Sequence, residues 1–539
     1  MPICDGVHGS SHMANADKTG GYITDTTYVA EFYGDHAPTH LNLIAAGNGF
    51  RPRPLDAGFT WCDYGCGNGV TANVLAGCYP QGRFYGVDFL PAHISAAEVI
   101  AVRGGLDNAT FLTKGFADLK ADDIPPLDFA TMHGVLSWID DPTRDAVLAD
   151  AAKRLKPGGL LMTGANAMPG WAAKLPMRNM VYSLTKDGAN TMTRAETGLA
   201  WLQKLKAAEV KYFRDNPALA EAVDDLARLD LRYMAHEYFN LHLRAFYFAE
   251  LNAMMEANGL QFVGSTFMFL NMVDLAVPQS LQQEFRQAKT RGELEAKRDF
   301  IRNETFRRDL WIKGEPFKTQ EEWLEVNEDL IFGTLVPLAQ IDRQVPFGEI
   351  QVSYENGPVA DLLEAVAVGA IDVRDMLKVP GFGGLSPWTR VDAARLLVAG
   401  GQVHAFANRT TQKKIGRGAK LTMPPINRAL IKELGMRAPK VPLAALNAGT
   451  GIELPNVDAM LLLAMCDKGW GGDGLSVSAH NGPIPFAARM MAAEGGDVIV
   501  GGRALPPKEI EALLAKRLKD LEDNMLDKLV EIGVVGVES

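Results

Sequence analysis

The series Asp63-Tyr-Gly65-Cys-Gly67-Asn-Gly69, set directly after the apolar run "FTWC", constrains this chain more than any other stretch. Glycines in that spacing let the backbone bend sharply at a strand end and let a ligand approach the main chain, because no Cβ stands in the way. An ordinary strand–helix turn is the plain alternative. A dinucleotide fold would read Gly-x-Gly-x-x-Gly here, with a pyrophosphate at the helix N-terminus; the spacing is Gly-x-Gly-x-Gly instead. Further on, Asp88 closes the apolar run "RFYGVD". A carboxylate in that place takes both hydroxyls of a ribose. Two acidic strand ends flanking a glycine turn suit a nucleoside that carries a cationic group and no phosphate.

Around this motif the chain alternates short apolar runs with helical stretches. "FTWCDY", "RFYGVDF", "NATFLTKG", "LDFATMHGVL" and "GLLMTGAN" read as strands of a parallel sheet. In "LKPGGLL", Pro157 is expected to end a helix and the two glycines to turn the chain into the last strand. From Trp171 to Ile341 the apolar spacing becomes helical, as in "AETGLAWLQKLKAAEVKYFRD" and "AFYFAELNAMMEANG". Beyond it, "VADLLEAVAVGAIDVRDML" and "VDAARLLVAGGQVHAFA" resemble two helices followed by a wing-like strand. The glycine-rich "DKGWGGDGLSVSAHNGPIP" then reads as a loop before a final helix from about Pro507 to Leu529.

Several classes are disfavoured by composition. A formal charge of −11 over 539 residues argues against a broad phosphate-binding surface, so no nucleic-acid partner is expected. The five cysteines are odd in number and lack metal-ligand spacing, which predicts neither a disulfide framework nor a metal site. Without an apolar stretch of membrane-spanning length the expected location is the cytoplasm. The opening "MPICDGVHGSSHM" is read as a leader, in part a cloning remnant, with residues 1–20 disordered.

The glycine turn and its two carboxylates resemble those of the class I S-adenosylmethionine-dependent methyltransferases. That resemblance implies an α/β fold and S-adenosylmethionine as cofactor. It places Asp63 and Gly65, Cys66, Gly67 and Gly69 around the aminoacyl end, Asp88 on the ribose and Phe89 on the adenine. In "KGFADL", Phe116 and Ala117 stand where the adenine amine is usually met, through backbone or through Asp118. The fourth strand ends in "HGVLSWIDD" rather than Asn/Asp-Pro-Pro-Tyr/Phe, which disfavours base methylation. His133 is there either a general base, a contact to the methionine end, or a structural donor. Trp138 is packing or substrate wall.

The strings "HGVLSWI", "ANAMPGW", "AHEYFN" followed by "FYFAEL", and "RNETFRRDL" are similar, in that order, to a narrower group. It comprises bacterial class I methyltransferases with a methyltransferase regulatory domain, among them outer-membrane-protein lysine methyltransferases. Five parts are expected: the leader, a cofactor-covering segment over residues 21–58 bearing Tyr22, Tyr28 and Tyr33, and a Rossmann-like methyltransferase domain over 59–170. A mainly α-helical regulatory or substrate domain over 171–345 and a winged-helix-like C-terminal domain over 346–539 complete the chain. Asn166 and Trp171 should sit at the pocket rim. His236, Glu237 and Tyr238 offer an acid, a base and an aromatic wall for a lysine, with helix capping as the plain alternative. Arg302, Arg307 and Arg308 would grip an acidic peptide or form a solvated face. The acceptor is expected to be a protein lysine; a hydroxyl of a sugar or small metabolite is the alternative, and a non-catalytic scaffold a third reading. Nothing in the sequence fixes the oligomeric state.

Overall fold

The computed structural model describes residues 22–25, 31–348, 350–469, 482–493, 499–500, 503–504 and 506–538. The expected leader, Tyr28 and most of the glycine-rich loop lie outside these residues. Five parallel strands form in the expected places: β1 (Thr60–Tyr64), β2 (Arg83–Asp88), β3 (Ala109–Thr113), β4 (Leu127–His133) and β5 (Leu155–Asn166). β1 is buried along its whole length, as a central strand covered on both faces must be. Its side chains alternate: Trp61 enters one apolar cluster while Cys62 and Tyr64 enter another on the opposite face. Helices α1 (Pro38–Gly47), α2 (Val70–Cys78), α3 (Pro91–Arg103) and α4 (Asp141–Arg154) flank the sheet. α4 starts where Asp140 accepts a hydrogen bond from the Thr143 N–H at 3.0 Å, with Pro142 in the first turn.

Two expectations are corrected along this sheet. Helix α4 stops at Arg154 and β5 begins at Leu155, so Pro157 and the glycines of "LKPGG" lie inside the strand's first residues rather than in a turn before it. A register shift permits this: pairing with β4 passes from Leu127 opposite Leu155 to Phe129 opposite Leu160, and the Gly158 N–H finds the Lys313 carbonyl at 2.7 Å. The stretch expected to be helical also contributes two strands to this sheet, β6 (Gln261–Ser265) and β7 (Phe306–Ile312). β7 pairs antiparallel with both β5 and β6, giving the order β3-β2-β1-β4-β5-β7-β6. "RRDLWI" is therefore a buried strand. Arg307 is no grip for a peptide: it is enclosed by Glu295 and Asp309, each at 2.7 Å, and by Asp299.

Between β5 and β6, helices α5 (Lys174–Leu184), α6 (Thr191–Ala207), α7 (Pro217–Arg228) and α8 (Leu231–Phe239) pack around Val181, Leu202, Val223, Met234 and Phe239. In the last third, helices Pro358–Val368 and Pro387–Ala399 are followed by the strand His404–Phe406. That strand, expected as a wing, pairs with Ile331–Gly333, which also pairs with Ile371–Asp372. The terminal helix is two helices, Pro507–Asn524 and Leu526–Glu531. This third docks on α2 and α3: the Tyr79 hydroxyl donates to the Gly449 carbonyl at 2.8 Å, and one apolar cluster runs from Trp61 to Val535. Among the described residues no helix is long and apolar enough to cross a membrane.

Candidate active site

The carboxyl ends of β1, β2 and β4 open onto a cavity of about 690 Å³, a size suited to a small-molecule ligand. Asp63, Gly65, Cys66, Gly67 and Asp88 line it. Gly69 is not in its wall. It caps α2 with φ +64°, and a Cβ there would collide with Ala97 and meet Phe111 at 2.7 Å, so it lets α2 close onto α3 and β3. At Gly67, φ +52°, a Cβ would meet no protein atom within 4 Å.

Asp88 is fixed by the loop it faces. Gly67 N–H donates to one oxygen at 3.1 Å, Leu90 N–H to the other at 2.9 Å, and His93 Nδ1 lies 3.3 Å away. Asp63 accepts from the Thr131 hydroxyl at 2.8 Å. Burial pushes its carboxyl up to about 7, against that hydrogen bond and with repulsion from Asp88. A buried acid held so high gains from a cation placed beside it.

Phe89, Phe116 and Ala117 line the side nearest β2 and β3, and Tyr22 stands edge-on to Phe89 with ring centroids 5.7 Å apart. Tyr33 covers the other end. Its N–H donates to Thr71 Oγ1 at 3.1 Å, its hydroxyl donates to Glu31 at 2.8 Å, and its ring lies 4.2 Å from that of His133. Burial, with the charge of His36 and Arg308, holds the His133 imidazole down at about 3. It is neutral across the physiological range and a poor proton acceptor.

Opposite the glycine loop, Trp138, Asn166, Trp171, His236 and Glu237 form the remaining wall. Burial raises the Glu237 carboxyl to about 8; Lys174 opposes the shift and Glu31 adds to it. Tyr238, expected beside them, is not in the wall: it packs into the helical cluster 6.3 Å from the Trp171 ring. On α8 and its cap, Tyr233, His236, Glu237 and Asn240 share the cavity face. They are spaced three and four apart, a helical stripe to which residue 238 does not belong. Reading that periodicity backward from Glu237 would have found Tyr233. Glu31, His36, Lys174 and Arg308 also line the cavity; of these only Arg308 was marked by the sequence, as part of an expected peptide grip.

These residues fit S-adenosylmethionine. Asp63 would take its ammonium, Asp88 its ribose hydroxyls, and the open face of Gly67 leaves room for its chain. Asp88→Ala is expected to weaken S-adenosylhomocysteine binding by about 2–3 kcal/mol, the loss of charge-assisted bonds. Calorimetric titration reads this; unchanged affinity in a folded variant would remove Asp88 from the site.

Family models match two stretches, a "Methyltransferase domain" over residues 55–209 and a "Predicted methyltransferase regulatory domain" over residues 230–313. The chain is an S-adenosylmethionine-dependent methyltransferase. The methyltransferase is 28% identical over 521 residues to an uncharacterized protein of Synechocystis sp., covering 95% of this chain and 99% of that one. It shares its fold with PKMT2 from Rickettsia typhi in complex with AdoHcy, with TM-score 0.65 and 17% identity over 92% of this chain and 98% of that one. A trans-aconitate 2-methyltransferase of Azoarcus sp. is 33% identical over 110 residues, 20% of this methyltransferase and 39% of that protein.

Proposed function

We propose that the methyl acceptor is the ε-amine of a lysine in a bacterial protein, modified in the cytoplasm before export to the envelope. The observation that carries this reading is Glu237, an acid pushed up to about 8 in a wall that also holds Trp171, Trp138 and Tyr233. A carboxylate with aromatic faces is what an ammonium needs to be held and oriented. The strings shared with outer-membrane-protein lysine methyltransferases point the same way.

Bound S-adenosylmethionine supplies an electrophilic methyl on a sulfonium. The chain's own work is positioning and proton handling. Asp63, Gly65, Cys66 and Gly67 hold the aminoacyl end, Asp88 the ribose, and Phe89, Phe116 and Ala117 the adenine. Tyr22 and Tyr33, from the covering segment over 21–58, exclude water. Glu237 seats the acceptor's ammonium and receives its proton, with Asn166, Trp171 and His236 around it. His133, neutral, serves as wall and hydrogen-bonding group.

The sign of the pH dependence follows. Raising pH through about 8 ionises Glu237 and strips the acceptor's proton, so the rate with a lysine substrate rises with pH. No acidic limb from His133 is expected above its value of about 3. His133→Asn should cost lysine methylation less than about tenfold, whereas a sugar hydroxyl acceptor would lose the 10²–10⁴-fold, roughly, of a missing general base. The deciding experiment incubates the enzyme with radiolabelled cofactor and fractionated bacterial lysate. Label recovered as methyl-lysine supports the reading; label only in carbohydrate or small molecules, with Glu237→Gln fully active, overturns it in favour of O-methylation.

A further inference from the structure

An ammonium seat would ordinarily exclude resident cations, yet a lysine of this chain stands in its wall. Lys174 is the first residue of α5, just past the corner "AMPGW" that follows β5, and it lines the same cavity as Glu237, Asn166 and His133. Its Nζ lies 5.6 Å from the centroid of the Trp171 ring. Among the described residues it makes no ion pair, unlike the other cation at this end of the cavity, Arg308, which is tied to Asp35 at 3.2 Å. A lysine stem has several rotatable bonds, so an amine not locked by a partner sweeps much of the space around it.

The surroundings of Lys174 are those proposed for the acceptor: an indole face under the nitrogen and the Glu237 carboxyl across the cavity. Burial also lowers the Lys174 amine from its ordinary value, while Glu237 opposes the shift, which enlarges the neutral fraction that carries a nucleophilic lone pair.

The geometry points to Lys174 as a methyl acceptor of its own active site: the enzyme methylates itself there when no protein substrate fills the cavity. The inference rests on the amine reading of the site. In the step, the neutral Lys174 nitrogen attacks the methyl carbon of S-adenosylmethionine in line with the leaving sulfur. A C–N bond forms, the S–CH₃ bond breaks with its electron pair going to sulfur, and S-adenosylhomocysteine is released. The proton left on nitrogen passes to Glu237 or to solvent.

The test uses the full chain, incubated with S-adenosylmethionine and no acceptor, followed by intact mass and peptide mapping. The expected result is a mass increase of one or more methyl groups confined to the Lys174 peptide. Its first-order rate constant, the fraction of chains modified per unit time, should be independent of protein concentration, since the reaction is intramolecular. The increase should vanish in Lys174→Arg while calorimetry still shows S-adenosylhomocysteine binding. A second readout needs no cofactor chemistry: an amine-reactive reagent near neutral pH should label Lys174 faster than surface lysines, and S-adenosylhomocysteine should slow it. Methylation on other lysines only, persistence in Lys174→Arg, a first-order rate constant that rises with enzyme concentration, or labelling no faster than at the surface would each overturn the inference. If lysines of added envelope proteins are methylated and Lys174 is not, this inference alone falls. If no protein lysine anywhere acquires a methyl group, the amine reading falls with it.

Discussion

Glu237→Gln is expected to lower the turnover of a lysine-containing acceptor by roughly 10²-fold or more, the scale of a lost proton acceptor in a positioned site, while leaving S-adenosylhomocysteine affinity unchanged. The side chain keeps its shape and loses only its charge and its capacity to hold a proton. Wild-type enzyme should show an inflection in its rate–pH profile near the Glu237 value of about 8, and the variant should lack it. Steady-state kinetics on a lysine peptide across pH, with calorimetry as the control, reads both. Full activity with an intact inflection would return the proton-handling role to another group. Reduced cofactor affinity would mean that the substitution disturbed the cavity itself.

The glycines of the opening motif should separate binding from folding. Gly67→Val is expected to abolish cofactor binding in a protein that remains folded, because a Cβ there meets no protein atom within 4 Å and would project into the cavity. The positive φ there adds strain of about 1–3 kcal/mol, which a large core absorbs. Gly69→Val should do the reverse first: it drives a branched side chain into Ala97 and Phe111 at a positive φ, costing about 3 kcal/mol or more. A lowered melting midpoint for Gly69→Val, with Gly67→Val near wild type, is the expected pattern in thermal unfolding. Equal destabilisation by both would show that the loop is packed throughout rather than open at Gly67.

The grouping of the glycine loop and its two acids around one cavity was legible because its signals are local. A glycine turn, an acid at a strand end and a second acid one strand later each sit beside the backbone feature that requires them, and Asp63, Gly67 and Asp88 lie together as that pattern predicts. The wall proposed for the acceptor is assembled across long separations. Glu31, Lys174, Glu237 and Arg308 meet only through the tertiary fold, and single-residue chemistry gives no warning of it. Tyr238 and Tyr233 show the smaller failure: an aromatic next to Glu237 in sequence is turned by the helix into the apolar cluster, while the one a turn earlier faces the cavity. Likewise "RRDLWI" reads as a charged stretch, and only the enclosing acids Glu295, Asp299 and Asp309 make its Arg307 compatible with a buried strand.

That strand also sets the timetable on which the protein can be made. β5 ends at Asn166 and waits for its neighbour until Phe306 and the residues after it have been synthesised, an interval on the order of 10 s at bacterial elongation speeds. During it the nascent chain presents one open edge of a long, apolar strand whose other edge pairs with β4, the kind of edge that other chains join. A fragment ending near residue 170 would hold that exposed state permanently. Expression of residues up to about 170 by themselves should therefore yield insoluble material.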